Sequence, residues 1–202
     1  MTREQFASRL LNACASVMAA EQELTEIDSK FGDADHGLTM AKIARAITEA
    51  VEDADGGIQT MLDDAAMAVM SLNGGSAVPL WNTWLDGLQE EAPEGEEIDV
   101  PGIQTIFAKA LEELNEMSGA QVLDKTMMDA LIPASEAIAA YEDSDEDDLF
   151  AAAAAAAAAG AENTKNFVSK LGRAKSYGTQ TIGTTDAGAV SMARFFQGLA
   201  QA

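Results

Sequence analysis

The stretch PGIQTIFAKALEELNEM, residues 101–117, decides the fold class of this chain. Pro101 stands at its start, where the missing N–H of proline leaves no helical hydrogen bond unmade. The apolar residues that follow recur every three or four positions, which is the spacing of one face of an α-helix. They are Ile103, Ile106, Phe107, Ala110, Leu111, Leu114 and Met117. The stretch therefore predicts an amphipathic helix with one buried face.

The same period extends outward in both directions along the chain. It recurs in residues 6–18, 40–47, 62–70, 128–138 and 190–199. Thr2 and Gln5 have the spacing of a capping box ahead of the first of these stretches. No segment shows the alternation of a β-strand. The pattern predicts an all-α protein of seven or eight helices, forming a single domain over residues 1–202.

One helix is predicted from composition rather than from period. Residues 144–147, Ser-Asp-Glu-Asp, are of the types that cap the N-terminus of a helix. Nine alanines follow from Ala151 to Ala159. Alanine is the best helix former, and its small side chain lets helices approach closely. We expect this helix to continue to Leu171 and to stop at Gly172.

The charge of the chain excludes several classes of partner. Lys and Arg total 12 against 34 Asp and Glu, which gives a net charge of −22. A surface so negative opposes binding to nucleic acid and to anionic membranes, since both are bound through basic side chains. Runs such as residues 142–148 are typical of solvated loops. The bias also fits a host with a salty cytoplasm.

Cysteine usage and hydropathy favour a cytoplasmic protein. Cys14 is the only cysteine, so an intramolecular disulfide and a cysteine-rich zinc site are excluded. Its apolar neighbours predict a buried thiol. The longest candidate for a membrane span, residues 149–159, is shorter than the roughly 18 apolar residues that a span needs.

Three glycine-rich loops interrupt the helical pattern. They cover residues 31–37, 73–77 and 177–188. Glycine lets the backbone approach a ligand closely. We therefore expect one site at one end of a helical bundle.

Asp28, Asp33 and Asp35 fall within eight residues, at the end of one helix and in the loop after it. Three carboxylates brought together repel one another, and Mg²⁺ would relieve that repulsion while leaving room for substrate phosphates. The alternative is that they are solvent-facing acids or helix caps.

His36 is the only histidine, and two interpretations of it remain open. Either it contacts a ligand at a helix start, where backbone N–H groups suit a phosphate, or it only caps the helix. The segment at Gly74 resembles a phosphate-binding loop, but it is not a Walker A loop, because no Lys-Ser/Thr pair follows it.

Four ordered motifs resemble the nucleotide-binding (L-type) subunit of the dihydroxyacetone kinase family. The first is GDADHGLTM, residues 32–40, with Asp28 ahead of it, and the second is the loop of Gly74 and Gly75 followed by Pro79 and Leu80. The third is DKTM-x-D, residues 124–129. The fourth is Gly172-Arg173-Ala174, followed by Ile182-Gly183 and Asp186-Ala187-Gly188-Ala189. The resemblance spans nearly the whole chain.

The resemblance implies an antiparallel barrel of eight α-helices with the nucleotide across one end. It implies that Asp28, Asp33 and Asp35 carry catalysis by holding two Mg²⁺ ions against the phosphates of ADP or ATP. The nucleotide-binding positions that it implies are His36, Gly37, Leu38, Thr39, Ser76, Ala77, Met127, Arg173, Asp186, Ala187 and Gly188.

The resemblance also implies an activity and its partners. The chain would pass phosphate to dihydroxyacetone or a similar small ketose, which a separate K-type subunit holds, and it would be inactive alone. The phosphate source is either a fixed ADP that a phosphotransferase-system M subunit rephosphorylates, or free ATP.

The alternative function is that of a nucleotide-binding regulatory module without transfer activity. It is motivated by departures from the family pattern: Ala77 and Val78 stand where the family has serine and glycine, Leu123 replaces a glycine, and Thr184 and Ala187 replace a histidine and a proline.

Overall fold

The computed structural model describes residues 1–201, so Ala202, the last residue of the predicted domain, lies outside the described residues. This part of the chain contains nine α-helices and no β-strand. The helices are α1 (Arg3–Ala19), α2 (Glu21–Asp28), α3 (His36–Asp53), α4 (Ile58–Met70), α5 (Ala77–Glu90), α6 (Val100–Ser118), α7 (Met128–Ala139), α8 (Glu146–Asn163) and α9 (Ala187–Leu199). Two 3₁₀ segments, Thr164–Asn166 and Arg173–Thr181, lie between α8 and α9.

Eight of these helices form a closed ring. Helix α1 packs on α3, each helix from α3 onward packs on the next, and α9 packs back on α1. The short α2 packs on α3 and α9. Short connections between packed helices make neighbours antiparallel. The predicted all-α, antiparallel eight-helix barrel is therefore confirmed, with α2 as an additional short helix.

The alternation of direction separates the connections into two groups. The loops 29–35, 71–76 and 119–127 and the long connection 164–186 lie at one end of the barrel, and the loops 54–57, 91–99 and 140–145 lie at the other. All three glycine-rich loops predicted to form a site belong to the first group. We call this the site end of the barrel.

The interior of the barrel is filled by aromatic side chains. Trp81, Trp84, Phe107, Phe195 and Phe196 contact one another with ring centroids 5.2–6.4 Å apart, most of them edge to face. All five are at most 2% exposed. Edge-to-face contacts of this kind stabilise a core beyond the burial of apolar area. Among residues 1–201, no helix combines the length and apolar character that crossing a membrane requires.

The ends of α1 and α6 follow from their sequences. The predicted capping box is present, because the Gln5 N–H donates to Thr2 Oγ1 and the Thr2 N–H donates to Gln5 Oε1. In α6, Asp99 Oδ1 accepts from the Gly102 N–H at 2.9 Å, and Gly119 ends the helix with φ 60°. The helix predicted from residues 101–117 is therefore confirmed as Val100–Ser118.

Helix α8 begins as predicted but ends early. Asp145 Oδ1 accepts from the N–H groups of Asp147 and Asp148, which confirms the predicted cap. The helix ends at Asn163, so its predicted extension to Leu171 is wrong. The chain tightens into a 3₁₀ turn at this point, because the Thr164 carbonyl accepts from the Phe167 N–H at 3.1 Å. The same carbonyl also accepts from the side chain of Lys125 at 2.9 Å.

Helices α7 and α8 approach closely at Gly160. A Cβ placed on Gly160 would lie 2.0 Å from the Asp129 carbonyl oxygen. In a regular helix the Asp129 carbonyl would accept from the N–H of the residue four positions later. That residue is Pro133, which has no N–H. The carbonyl therefore faces the Cα of Gly160, a position at which only a residue without a side chain fits.

Candidate functional site

A cavity of about 650 Å³ opens at the site end of the barrel. Ligand pockets of small molecules and cofactors span about 300–1,000 Å³. Every connection of the site end contributes to its lining, as do the first turns of α3, α5, α7 and α9. Trp81 of the aromatic core forms part of its floor.

The three predicted acids meet at this cavity. Asp28 is the last residue of α2, and Asp33 and Asp35 follow in the loop to α3. One carboxylate oxygen from each lies within 4.8 Å of the other two. Two backbone features fold the loop this tightly: a Cβ on Gly32 would lie 2.0 Å from Asp28 Oδ1, and Ala34 has φ 61°.

This cluster fits a hard divalent cation. The Oδ2 atom of Asp28 is buried, and no donor in residues 1–201 reaches it. A buried carboxylate oxygen without a partner costs free energy unless a cation or a donor compensates it. Asp33 and Asp35 are exposed, so a cation here could keep water or phosphate oxygens as further ligands.

Arg173 reaches the acids from the opposite wall of the cavity. Its guanidinium forms an ion pair with Asp33. Phe31 and Tyr177 make a second contact between the same two walls, with ring centroids 5.2 Å apart. The loop of the acids and the connection between α8 and α9 therefore touch across the mouth of the cavity.

The four predicted residues at the start of α3 have different positions. His36 and Thr39 line the cavity. Gly37 is buried against α2, where a Cβ would lie 2.1 Å from the Glu21 carbonyl oxygen. Leu38 is 46% exposed and lies outside the cavity lining. The structure thus brings His36 and Thr39 to the cavity and turns the other two side-chain positions away from it.

The imidazole of His36 has a polar partner that the sequence analysis did not single out. His36 Nε2 lies 3.3 Å from the hydroxyl of Ser191 in α9. That hydroxyl donates to the Gly188 carbonyl at 2.8 Å, so its lone pairs are free to accept from the imidazole. Burial lowers the pKa of His36 below its ordinary value, although the charge of Asp28 opposes this.

The second glycine loop leads into the N-terminus of α5. Gly75, Ser76 and Ala77 line the cavity. Ser76 precedes the first turn, and its side chain makes no capping bond. Val78, which replaces a glycine of the family pattern, is 7% exposed and packs into the hydrophobic core. The valine therefore points away from the cavity, and the helical backbone that it adopts is open to any L-residue.

The remaining predicted residues form the far wall. Met127 lies just before α7, and Asp186, Ala187 and Gly188 form the start of α9. A Cβ on Gly188 would be 3.4 Å from the Met127 N atom, so the two helix starts are neighbours. Asp186 Oδ2 caps α9 by accepting from the Ala189 N–H at 2.8 Å. Twelve of the fourteen predicted site residues thus line one cavity, all except Gly37 and Leu38.

The sequence comparison agrees with this arrangement. The family model described as the DAK2 domain matches residues 30–201. The chain belongs to the DAK2 domain family.

This DAK2 chain is similar to two curated proteins with different names. It is 30% identical over 203 residues to the ADP-binding subunit DhaL of PEP-dependent dihydroxyacetone kinase 1 from Listeria innocua, with 98% of this chain and 96% of the relative covered. It is 33% identical over 195 residues to a D-erythrulose kinase from Mycolicibacterium smegmatis, with 94% of this chain but 34% of the relative covered. The chain thus spans about a third of the length of that kinase.

A solved structure has the same fold as this DAK2 chain. It is the dihydroxyacetone kinase from C. freundii in complex with AMP-PNP and Mg²⁺, which superposes with a TM-score of 0.73 at 26% identity. The match covers 97% of this chain and 33% of that one.

Sequence reasoning about this DAK2 chain missed several residues of the site. Lys125 and Asp129 belong to a motif that was recognised, but nothing in the sequence indicated that both are buried. Trp81 lies on α5, a helix for which the sequence analysis identified no periodic stretch, and Ser191 lies on α9, whose apolar pattern indicated only core positions. For Ser191, the available signal was a hydroxyl on the buried face of α9, one turn after a cap.

The pKa of Asp186 predicts a pH dependence of stability. Burial, together with the charge of Asp129, raises the pKa of this carboxyl to about 7, although hydrogen bonds and Lys125 oppose the shift. The folded state holds the proton of Asp186 more tightly than the unfolded chain does, so protonation of Asp186 stabilises the fold. This contribution to the free energy of unfolding is fully present below about pH 4 and is lost as the pH rises through 7.

Asp186→Asn removes this titration and keeps a residue that can cap α9. Between pH 4 and pH 8, the free energy of unfolding of the variant should rise by about 2 kcal/mol relative to the natural chain, a value reduced for partial solvent exposure. Urea unfolding at both pH values measures the difference. A difference that does not change with pH would contradict the assignment.

Proposed function

We propose that this chain is the phosphoryl-transferring subunit of a dihydroxyacetone-type kinase, with residues 1–202 acting as one nucleotide-binding domain. It takes phosphate from a magnesium-bound adenine nucleotide and passes it to dihydroxyacetone or a similar small ketose. The names of the relatives, which include dihydroxyacetone kinase subunits and erythrulose kinases, support this reaction class.

One observation carries the proposal. Three carboxylates converge at the mouth of a cavity of nucleotide size, beside the N-termini of α3 and α5. The N-terminus of a helix presents free backbone N–H groups and a partial positive charge, which together favour a phosphate. In a magnesium–nucleotide complex, the metal would suit the carboxylates and the phosphates would suit the helix N-termini.

Each group would have a definite role. Asp28, Asp33 and Asp35 would hold two Mg²⁺ ions, which when bound neutralise charge on the phosphoryl oxygens. His36, Thr39, Ser76 and Ala77, with the backbone at Gly37 and Leu38, would place the phosphates at the two helix starts. The guanidinium of Arg173 would donate charge-assisted hydrogen bonds to them. Met127, Asp186, Ala187 and Gly188 would form the wall against the rest of the nucleotide. Phosphoryl transfer needs such positioning and charge stabilisation more than covalent work by side chains.

The ketose would be held by a separate K-type subunit through a histidine of that subunit. The only histidine of this chain, His36, is partly buried beside Ser191 in the cavity wall. Activity would therefore require both subunits.

Two phosphate sources remain to be distinguished. The relative named as the ADP-binding subunit of a PEP-dependent kinase supports a resident ADP, which a phosphotransferase-system M subunit would rephosphorylate. Exchange with free ATP is the other route.

Mass spectrometry of the ligand released from the purified protein tests the proposal first. Co-purifying ADP would support the resident cofactor, and an empty protein that binds ATP with Mg²⁺ would support exchange. Phosphate transfer to dihydroxyacetone and to erythrulose is then measured with a K-type subunit present and absent. Tight nucleotide binding without transfer to any ketose would favour a regulatory module instead. Failure to bind either nucleotide at any Mg²⁺ concentration would overturn the proposal.

A further inference from the structure

Lys125 is a buried cation that the proposed chemistry does not use. Its side chain is 4% exposed. Its Nζ atom lies within hydrogen-bond distance of four backbone carbonyl oxygens, those of Thr184 at 2.5 Å, Thr181 at 2.6 Å, Thr164 at 2.9 Å and Phe167 at 3.3 Å. Since an ammonium group has three N–H donors, the three shorter bonds account for all of them.

Every one of these acceptors belongs to the connection between α8 and α9, residues 164–186, which we call the connector. The three nearest carbonyls come from its start, from the end of its long 3₁₀ segment and from the turn before α9. One side chain from another part of the chain therefore joins both ends of the connector.

A contribution to folding stability does not by itself explain a buried lysine at position 125. Burial of an ammonium is costly, and the salt bridges of residues 1–201 include none from Lys125 to a carboxylate. The backbone is also strained, since Leu123 and Lys125 have φ values of 78° and 61°. Asp129 maintains this conformation by accepting from the Leu123 N–H at 2.6 Å and the Thr126 N–H at 2.8 Å. Strain that the surrounding structure enforces in this way is concentrated at functional sites in proteins.

The connector needs an anchor because little apolar packing holds it. Its fully buried residues are polar, namely Thr164, Ser169 and Thr181. Of its large apolar residues, Leu171, Tyr177 and Ile182 are 40–51% exposed, and Phe167 and Val168 are only half-buried. Gly172 and Gly178, with φ values of 64° and 54°, interrupt its regular structure. Hydrogen bonds therefore position this segment, and Lys125 makes more of them than any other side chain that reaches it from outside.

The connector is also one wall of the cavity. It carries Arg173, which pairs with Asp33, and Asp186, which caps α9. Ser169, Leu171 and Thr181 line the cavity as well. Displacement of the connector would move all of these groups relative to the acids on the opposite wall.

We infer that Lys125 is a positioning residue that fixes the connector as the second wall of the nucleotide site. Lys125 borders the cavity, but its N–H donors are taken up by the carbonyl groups of the connector, and it acts through them. The nucleotide part of this inference rests on the proposed function, whereas the anchoring of the connector does not.

Hydrogen–deuterium exchange on the full chain, without nucleotide, tests the anchoring. Lys125→Met keeps the length and apolar stem of the side chain but removes every donor. Amide protection in residues 165–184 should fall at least tenfold, while protection in α4 and α6 stays within twofold of the natural chain. Lys42→Met is the matched control, because Lys42 is an exposed residue of α3, outside the connector, and its side chain has no hydrogen bond or ion pair within residues 1–201. If Lys125→Met does not fold, Lys125→Arg replaces it and should show the same local loss, since a planar guanidinium cannot reproduce these bonds.

Calorimetric titration with MgADP and steady-state kinetics test the effect on the site. The Kd for MgADP and the KM for the nucleotide should rise at least tenfold in Lys125→Met. The KM for the ketose should stay within twofold, and Lys42→Met should leave all three constants unchanged. Unchanged protection of the connector, or an equal loss over all helices, would overturn the inference whatever the nucleotide data show. Local loss of protection with unaltered nucleotide affinity would also overturn it. If the natural chain binds no nucleotide, the proposed function fails, and the exchange data still decide whether Lys125 anchors the connector.

Discussion

Asp33→Asn is expected to weaken the binding of MgADP at least about 100-fold, a loss of about 2.7 kcal/mol. The substitution keeps the shape of the side chain but removes one of three negative charges that lie within 4.8 Å of one another. A hard cation depends on carboxylate charge for its affinity. Magnesium without nucleotide should also stabilise the variant less than the natural chain in thermal unfolding.

Asp55→Asn is the matched control for this experiment. It changes the net charge by the same amount, but Asp55 is an exposed residue in the loop 54–57, at the far end of the 18-residue helix α3. That helix separates the two positions by about 27 Å. Its affinity for MgADP should stay within twofold of the natural value. An Asp33→Asn variant that binds MgADP within threefold of the natural chain would contradict the metal site.

Gly160→Ala is expected to lower the free energy of unfolding by about 2 kcal/mol. Alanine favours a helix by about 1 kcal/mol over glycine, which would stabilise the variant if space allowed. The added Cβ would lie 2.0 Å from the carbonyl oxygen of Asp129, however, and 3.2 Å from the Cα of Ala130. Both contacts are with backbone atoms, which cannot rotate away, and overpacking of this kind costs about 1–3 kcal/mol or more. Because the 2.0 Å contact is with backbone, we expect a steric cost of about 3 kcal/mol, which less the gain in propensity leaves a net loss of about 2 kcal/mol.

Urea unfolding measures this effect, with Gly95→Ala as the control. At Gly95, no atom of the described chain lies within 4 Å of the added Cβ, and the stability should change by less than about 0.5 kcal/mol. The Gly160 variant should also bind MgADP more weakly, because the displaced Asp129 holds the turn that contains Lys125. A Gly160→Ala variant as stable as the natural chain would show that α7 and α8 are farther apart than described.

The sequence predicted what local interactions determine. The period of residues 101–117 and the capping box at Thr2 specify their helices without reference to the rest of the chain. Asp28, Asp33 and Asp35 were predicted to lie together because seven residues of chain cannot separate them far. The all-α class followed from the same local patterns.

The sequence could not predict what depends on distant contacts. At Thr164, α8 gives way to a 3₁₀ turn whose first carbonyl accepts from Lys125 of another loop, and nothing in the local sequence indicates this contact. The contact of Arg173 with Asp33 joins residues far apart in the chain, and no pattern of either segment indicates it. The positive φ values of Ala34, Leu123 and Lys125 occur in residues for which glycine or asparagine would be the usual signal.

Trp81 gives this protein a built-in optical reporter. The chain contains two tryptophans, and both belong to the aromatic cluster of the barrel, with their centroids 5.6 Å apart. Trp81 borders the cavity, whereas Trp84 is 0% exposed and lies deeper among the phenylalanines. A ligand that enters the cavity therefore changes the surroundings of one emitter and leaves the other in apolar contact. The intrinsic fluorescence of the unlabelled chain should report occupancy of the site in real time, and Trp81→Phe should silence the signal while the core remains filled.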